Sequence, residues 1–226
     1  MDTVDRFIHT FFNAEVAAQY WPDIVKGLGV TALVGVCVIA TGLALGLVLA
    51  VLRTLRRPWL SFPIVVFADV GRALPPLVVI IVLFFAFPYI GLAMSSFTAT
   101  WIALSLVLAA YAEESIWAGL LALPSGQGEA ARSTGLGWWQ TMRFVLLPQA
   151  LRMAVPPLTN RTLSIVKNTA LGSVIALAEI LNNAQSASSN AGNPTPLTLG
   201  AIAYLLLFLP LVVGSRWLES RWHYKR

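Results

Sequence analysis

The sequence predicts an all-α, polytopic membrane protein with about five transmembrane helices. Three observations carry that reading: an excess of apolar residues, charge-free runs long enough to cross a bilayer, and short polar breaks between them. Hydrophobic types make up 58% of the 226 residues and charged types 11%, with a mean hydropathy of +0.76. A soluble domain has roughly half and roughly a quarter, so too few polar groups remain here to coat a globule. No linker or low-complexity tract divides the chain, and residues 1–226 read as a single transmembrane domain.

Each span follows from the length a bilayer demands. A hydrocarbon core roughly 30 Å thick takes about 20 helical residues, because lipid offers unpaired backbone groups no partner. Gly27 to Leu52 meets that without one charge and forms the first span; Gly42 and Gly46 on it permit close helix approach. Ala73 to Ala112 is also free of charge but about twice too long for one pass, and Pro88-Tyr89-Ile90-Gly91 with Ser95-Ser96 divides it. The second helix is therefore expected from about Leu60 to Phe87, bent at Pro75-Pro76, and the third from about Thr100 to Leu123. A fourth is expected from about Leu163 to Leu181 and a fifth from about Leu197 to Leu218. The acidic start, Met1-Asp2-Thr3-Val4-Asp5-Arg6, lacks the basic region of a signal peptide, so the first span is expected to stay in the mature chain. Cys37 is the lone cysteine, and no disulfide framework is expected.

Charge fixes the orientation. Basic residues gather after the first helix (Arg53, Arg56, Arg57), between the third and fourth (Arg132, Arg143, Arg152, Arg161) and at the end (Arg216, Arg221, Lys225, Arg226). By the positive-inside rule these segments face the cytoplasm, which puts the N-terminus outside and the C-terminus inside. Arg6 and Lys26 precede the first helix, and Leu181 to Pro196 is an uncharged stretch of Ser, Asn, Gly and Pro read as an outer loop. The net charge of +5 is then accounted for by topology and anionic lipid, without nucleic acid. Trp21 and Trp101 fall near outer span ends, and Trp59, Trp138 and Trp217 near inner ones, as an aromatic belt places them.

The cytoplasmic segment from about 124 to 161 is the long connection, and connections of that length are usually functional. Gln127-Gly128-Glu129-Ala130-Ala131-Arg132-Ser133-Thr134-Gly135 reads as a short helix of small residues that a glycine closes. Trp138 to Leu147 reads as an amphipathic segment ending at Pro148, and Leu151 to Leu158 carries Pro156-Pro157. An interfacial helix with snorkelling arginines would have the same pattern. Ionisable residues within spans are costly unless they meet a cavity or a partner; here they are Asp69, Arg72, Glu113, Glu114, Lys167 and Glu179. Arg72, near the middle of the second helix, and Glu114, in the inner half of the third, would line a polar path, while Asp69 and Arg72, three apart, would equally pair with each other.

Glu129-Ala130-Ala131, then Gly135, then Val145-Leu146-Leu147-Pro148 resembles the EAA loop of the permease subunits of type I ABC importers. Arg72-Ala73-Leu74-Pro75-Pro76-Leu77, Tyr111-Ala112-Glu113-Glu114, Gly126-Gln127, Pro148-Gln149-Ala150-Leu151-Arg152 and Lys167-Asn168-Thr169-Ala170-Leu171 resemble its polar amino acid branch, the histidine, glutamine and glutamate permeases. The resemblance implies a permease in a bacterial cytoplasmic membrane, moving polar amino acids or derivatives such as opines. An extracytoplasmic binding protein would deliver them, two separate ATP-binding subunits would supply the drive, and a second permease, the same chain or a related one, would complete the path. It implies that Glu129, Ala130, Ala131, Gly135, Leu147 and Pro148 couple to the ATPase, and that Arg72, Tyr111, Glu114, Asn168 and Thr169 line the substrate path. It implies no cofactor or metal in this chain, ATP and magnesium belonging to the partners. Two segments depart from the branch, leaving two charged positions neutral: Trp117 stands where an arginine is usual, and Asn168-Thr169-Ala170 where Asp-Thr-Ser is common.

Absences agree with a separate motor. The lysines are Lys26, Lys167 and Lys225, none following a glycine, so a phosphate-binding P-loop has no place in the chain. Two other classes remain. Ser164-x-x-Lys167 has the spacing of a serine-lysine nucleophile pair, without an oxyanion-hole signature and with His9 and His223 near the termini. A secondary transporter or channel would need neither the loop nor an ATPase, and would be expected to carry inverted repeats.

Overall fold

The computed structural model describes residues 2–222. Lys225 and Arg226, read above as part of the basic C-terminal flank, and His223, named above with His9, lie outside the described residues. The described chain is helical, with no strand among these residues. In order the elements are α1 (Thr3–Phe11), α2 (Ala14–Arg53), α3 (Pro58–Ala73), α4 (Pro76–Ile81), α5 (Ser96–Leu121), α6 (Ser125–Ser133), α7 (Trp138–Thr141), α8 (Leu147–Lys167), α9 (Ile180–Ala191) and α10 (Thr195–Trp222). A π turn (Val82–Ala86) and a 3-10 turn (Phe87–Ile90) extend α4, a second π turn (Met142–Leu146) joins α7 to α8, and a 3-10 segment (Asn168–Ile175) follows α8.

Among the described residues three helices are long and apolar enough to cross a membrane, and five spans result if each broken helix pair counts as one. The broken pairs are Pro58–Ala73 with Pro76–Ile90, and Trp138–Ile175 with Ile180–Ala191. Outward-facing Leu205, Leu206 and Leu209 on α10, and Leu33 and Val36 on α2, form an apolar surface that suits lipid.

Four sequence expectations change. The first span begins well before Gly27: helix runs back to Ala14, and Pro22 removes one donor without ending it. The second is broken rather than bent. Leu74 is extended (φ −80°, ψ 134°), because a following proline disfavours the helical region, and helix resumes with Pro76 in its first position. The fourth, expected over 163–181, is instead the end of α8, the 3-10 segment and a turn in which Ala176 is left-handed (φ 57°). The outer loop expected over 181–196 is mostly α9. Its polar Ser and Asn residues hide the apolar stripe Ile180, Ala184 and Ala187, which is buried, and Glu179 caps it by accepting from the Asn182 N–H at 2.8 Å.

The contacts gather into two compact units. The first holds Met1–Val38, Pro76–Leu104 and Val166–Val213. Its core joins Ile24 of α2, Ile180 and Ala184 of α9 and Ala203 of α10. Polar locks secure that packing: Thr31 Oγ1 accepts from the Ile180 N–H at 3.2 Å, Asn183 Nδ2 donates to the Asp23 carbonyl at 2.8 Å, and the Tyr204 hydroxyl donates to the buried Glu179 carboxylate. Thr195 Oγ1, accepting from the Asn13 N–H and donating to the Thr10 carbonyl, ties the α1–α2 junction to the start of α10.

The second unit holds Ile39–Pro75, Ser105–Ile165 and Gly214–Arg226. Ala50 of α2, Ile116 of α5 and Ala154 of α8 form its core, with Leu47, Leu120, Leu147 and Leu151 around them. Small residues set the approach of α2 to α5. A Cβ at Gly46 would lie 2.5 Å from the Ala112 Cβ and 2.8 Å from the Ala109 carbonyl oxygen, so only glycine admits this crossing. The same contact brings the end of α2 alongside Glu113.

Candidate functional site

Two features of the second unit draw on the residues singled out in the sequence. The first is a charge cluster between the ends of α2, α3 and α5. Arg53, the last residue of α2, places Nη1 3.0 Å from Glu113 Oε1 and 3.4 Å from Glu114 Oε2. Arg72 on α3 places Nη2 2.6 Å from Asp69 Oδ1 and 3.6 Å from Glu114 Oε2, while its Nε donates to the Ala68 carbonyl. Glu114 is thus shared between two guanidinium groups. The adjacent carboxylates are unlike in environment: the Glu113 side chain is 0% exposed and that of Glu114 37%. Helical geometry explains the split, since neighbouring residues on one helix point about 100° apart.

The pairing of Asp69 with Arg72 is present, and Arg72 also reaches Glu114. Arg53 is the member that sequence reasoning missed. Counted among the cytoplasmic arginines by the positive-inside rule, it reaches back along α5 instead. Its guanidinium also lies 4.5 Å from the centre of the Trp117 ring, and Glu113 and Trp117, four apart, share a face of α5. Trp117 therefore seats a cation supplied by α2. Tyr111 has a parallel contact, with the Arg161 guanidinium 4.8 Å from its ring centre. Asn168 and Thr169 belong to the first unit, at the start of the 3-10 segment; Thr169 is buried, with its hydroxyl donating to the Val166 carbonyl at 2.8 Å. Ser164 and Lys167 are both exposed.

Trp117→Arg is expected to lower the melting temperature, because it sets a second guanidinium against Arg53, whereas Trp117→Phe keeps an aromatic face and costs at most about 1 kcal/mol. Thermal unfolding of the two detergent-purified variants checks this; equal melting temperatures would remove the cation–π contact from the account.

The second feature is the helical hairpin of α6, α7 and α8. On α6, Glu129 and Ala130 are exposed and Ala131 is buried. Gly135 has φ +89°, and a Cβ there would touch nothing, so the demand for glycine is purely conformational. Gly137 opens α7, with its N–H donating to the Gln140 side chain at 3.0 Å. Helix does not end at Pro148 as expected. The Leu147 N–H bonds to the Met142 carbonyl, five residues back, and Pro148 falls in the first turn of α8, where its missing donor is no loss. Gln149 Nε2 donates to the Val145 carbonyl at 2.7 Å and meets Gln127 Oε1 at 3.5 Å, which pins α6 to the head of α8. Glu129, Ala130, Ala131, Gly135, Leu147 and Pro148 thus all lie on one hairpin.

An all-helical chain of long apolar spans and broken spans is a polytopic membrane component. The chain belongs to the family of binding-protein-dependent transport system inner membrane components, whose model matches residues 42–224. It is 37% identical to the probable glutamine ABC transporter permease protein GlnP of Bacillus subtilis over 93% of this chain and 96% of that one. It is 33% identical to the glutamine transport system permease protein GlnP of Escherichia coli over 89% and 94%. Among solved structures, the crystal structure of an amino acid ABC transporter with histidines superposes with a TM-score of 0.80 at 28% identity, covering 90% of this chain and 96% of that one. The inward-facing MetNI methionine ABC transporter shares the fold, with a TM-score of 0.70 at 19% identity over 94% and 100%.

Proposed function

We propose that this chain is the permease subunit of an ATP-driven importer that moves polar amino acids across the bacterial cytoplasmic membrane. The observation that carries the reading is full-length likeness to permeases of amino-acid ABC transporters, at about a third identity. In this reading residues 1–226 act as one permease domain, with the N-terminus outside, the C-terminus in the cytoplasm and the hairpin within 124–161 facing two ATP-binding subunits. The motor, with its ATP and magnesium, is separate, in keeping with a sequence that lacks the lysine of a P-loop. An extracytoplasmic binding protein delivers the solute, and a second permease copy or relative closes the path.

Within that frame the segment Glu129, Ala130 and Ala131 couples to the motor, exposed Ala130 by direct contact and Glu129 and buried Ala131 by setting how α6 packs, and Gly135 with Leu147 and Pro148 holds the hairpin to the membrane helices. Arg72, Tyr111, Glu114, Asn168 and Thr169 are the path residues. The exposed, shared carboxylate of Glu114 suits a transient ammonium group, and Arg72 suits a carboxylate. The buried Glu113 does not face the path; with Arg53 it fixes the end of α2.

Reconstitution in liposomes tests the proposal. Uptake of labelled glutamine, histidine or arginine is expected only with the ATPase subunits, ATP and the binding protein all present, and Arg72→Ala is expected to lower it at least tenfold. Uptake driven by an ion gradient without ATP would replace the importer by a secondary transporter, and full activity of Arg72→Ala would assign that residue to structure.

A further inference from the structure

A cleft of about 860 Å³ opens in the second unit between the α2–α3 connection, the end of α5 and the hairpin. Its walls combine three arginines, Arg56, Arg57 and Arg132, against the single carboxylate of Glu129, with the indoles of Trp59, Trp117 and Trp138 and a floor of leucines. Among the described residues none of these three arginines makes an ion pair, in contrast to Arg53 and Arg72 close by. Trp59 is 75% exposed. The wall also includes Thr141, 3% exposed, whose Oγ1 is buried with no hydrogen-bond partner among the described residues. A buried hydroxyl left unpaired is costly, and unpaired cations beside an open apolar floor call for an anion that carries its own apolar part.

We propose that this cleft binds the phosphate-bearing head group of an anionic phospholipid from the cytoplasmic leaflet. The phosphate sits among Arg56, Arg57 and Arg132, and the acyl chains lie over Leu120, Leu121 and Leu123. The assignment to that leaflet rests on the orientation proposed above; there anionic lipids concentrate, and exposed tryptophans such as Trp59 sit at head-group depth. Helical geometry favours lipid over the ATPase as occupant. Ser125, Gly128, Glu129 and Arg132 line the cleft at the i, i+3, i+4 and i+7 positions of one face of α6, while Ala130 points away and stays free for the motor. Bound lipid would therefore brace the hairpin from the face opposite its partner, and coupling would depend on lipid charge.

The test uses the full chain assembled with its ATPase subunits, stripped of lipid in detergent and offered phosphatidylglycerol, phosphatidylcholine or inorganic phosphate, with retention read by native mass spectrometry. The intact assembly is expected to retain phosphatidylglycerol in preference to phosphatidylcholine. Arg57→Gln with Arg132→Gln is expected to weaken that retention roughly thirtyfold. Thr141→Val, which keeps the shape and removes the hydroxyl, is expected to weaken it roughly fivefold. Unchanged melting temperatures without lipid exclude misfolding as the cause. Equal retention of the two lipids, or a preference unaffected by the substitutions, overturns the proposal. Displacement by inorganic phosphate with no lipid retained assigns the arginines to a free anion and overturns it too, and retention only after the ATPase is removed gives the cleft to the motor. Because binding in detergent is blind to orientation, labelling of Ser133→Cys in intact cells by an impermeant maleimide separates the two readings. Labelling from outside would overturn the leaflet assignment and the orientation while the lipid preference persisted.

Discussion

Replacing Arg53 or Glu113 by alanine is expected to destabilise the protein by roughly 3–5 kcal/mol, the cost of leaving one member of a buried ion pair without its partner. The Glu113 side chain is fully enclosed and that of Arg53 is 15% exposed, so water cannot replace the lost contact. Arg53→Ala also removes the cation from the Trp117 ring. Glu114→Gln is expected to behave differently. Its side chain is 37% exposed and only shares the two arginines, and an ion pair of that exposure is worth at most about 1 kcal/mol. Stability should hardly change, while amino-acid uptake should fall if Glu114 faces the path. Melting temperatures of the purified variants, set beside uptake, separate the two carboxylates. The double change Arg53→Met with Glu113→Leu is expected to recover much of the lost stability, since two apolar groups leave no charge unpaired. An Arg53→Ala variant that melted with the parent chain would show that the pair does not hold α2 to α5.

How much of this was legible in the sequence depended on whether the signal was local. Gly27 to Leu52 named its own helix, because an uncharged run that long has one solution in lipid. The division of Ala73 to Ala112 was legible for the same reason, and Gly91, with φ +82°, ends the 3-10 turn where the break was expected. The Ser- and Asn-rich stretch after Leu181 misled because its residues favour loops in isolation, whereas burial of Ile180, Ala184 and Ala187 and the Glu179 cap decide the matter in the fold. Pro148 misled in the opposite way: a π turn shifts the hydrogen-bond register so that the proline falls where a missing donor does no harm. The candidate site was half legible. Glu113, Glu114, Asp69 and Arg72 stood out as charges within apolar runs, but Arg53 stands 60 residues from Glu113, and no local pattern reports a partner at that separation.

Gly135→Val is expected to abolish uptake and weaken binding of the ATPase subunits while leaving membrane insertion intact. The glycine supplies a conformation and not space. A Cβ at this position would meet no atom, so the valine causes no clash; it must instead adopt φ near +89°, which a β-branched residue resists at a cost of roughly 1–2 kcal/mol. That strain is enough to shift the turn between α6 and α7 yet small beside the stability of spans buried in lipid. Gly135→Asn should retain more activity than valine, because asparagine tolerates left-handed backbone. Ala130→Trp isolates the contact from the turn: the residue is exposed and turned away from the cleft, the change costs the fold little, and any fall in ATPase binding then belongs to the surface itself. Pull-down of the ATPase subunits with each variant, alongside insertion and uptake, distinguishes the outcomes. Undiminished yield with both Gly135→Val and Ala130→Trp would mean that the motor grips another surface and that the hairpin is only a support for α8.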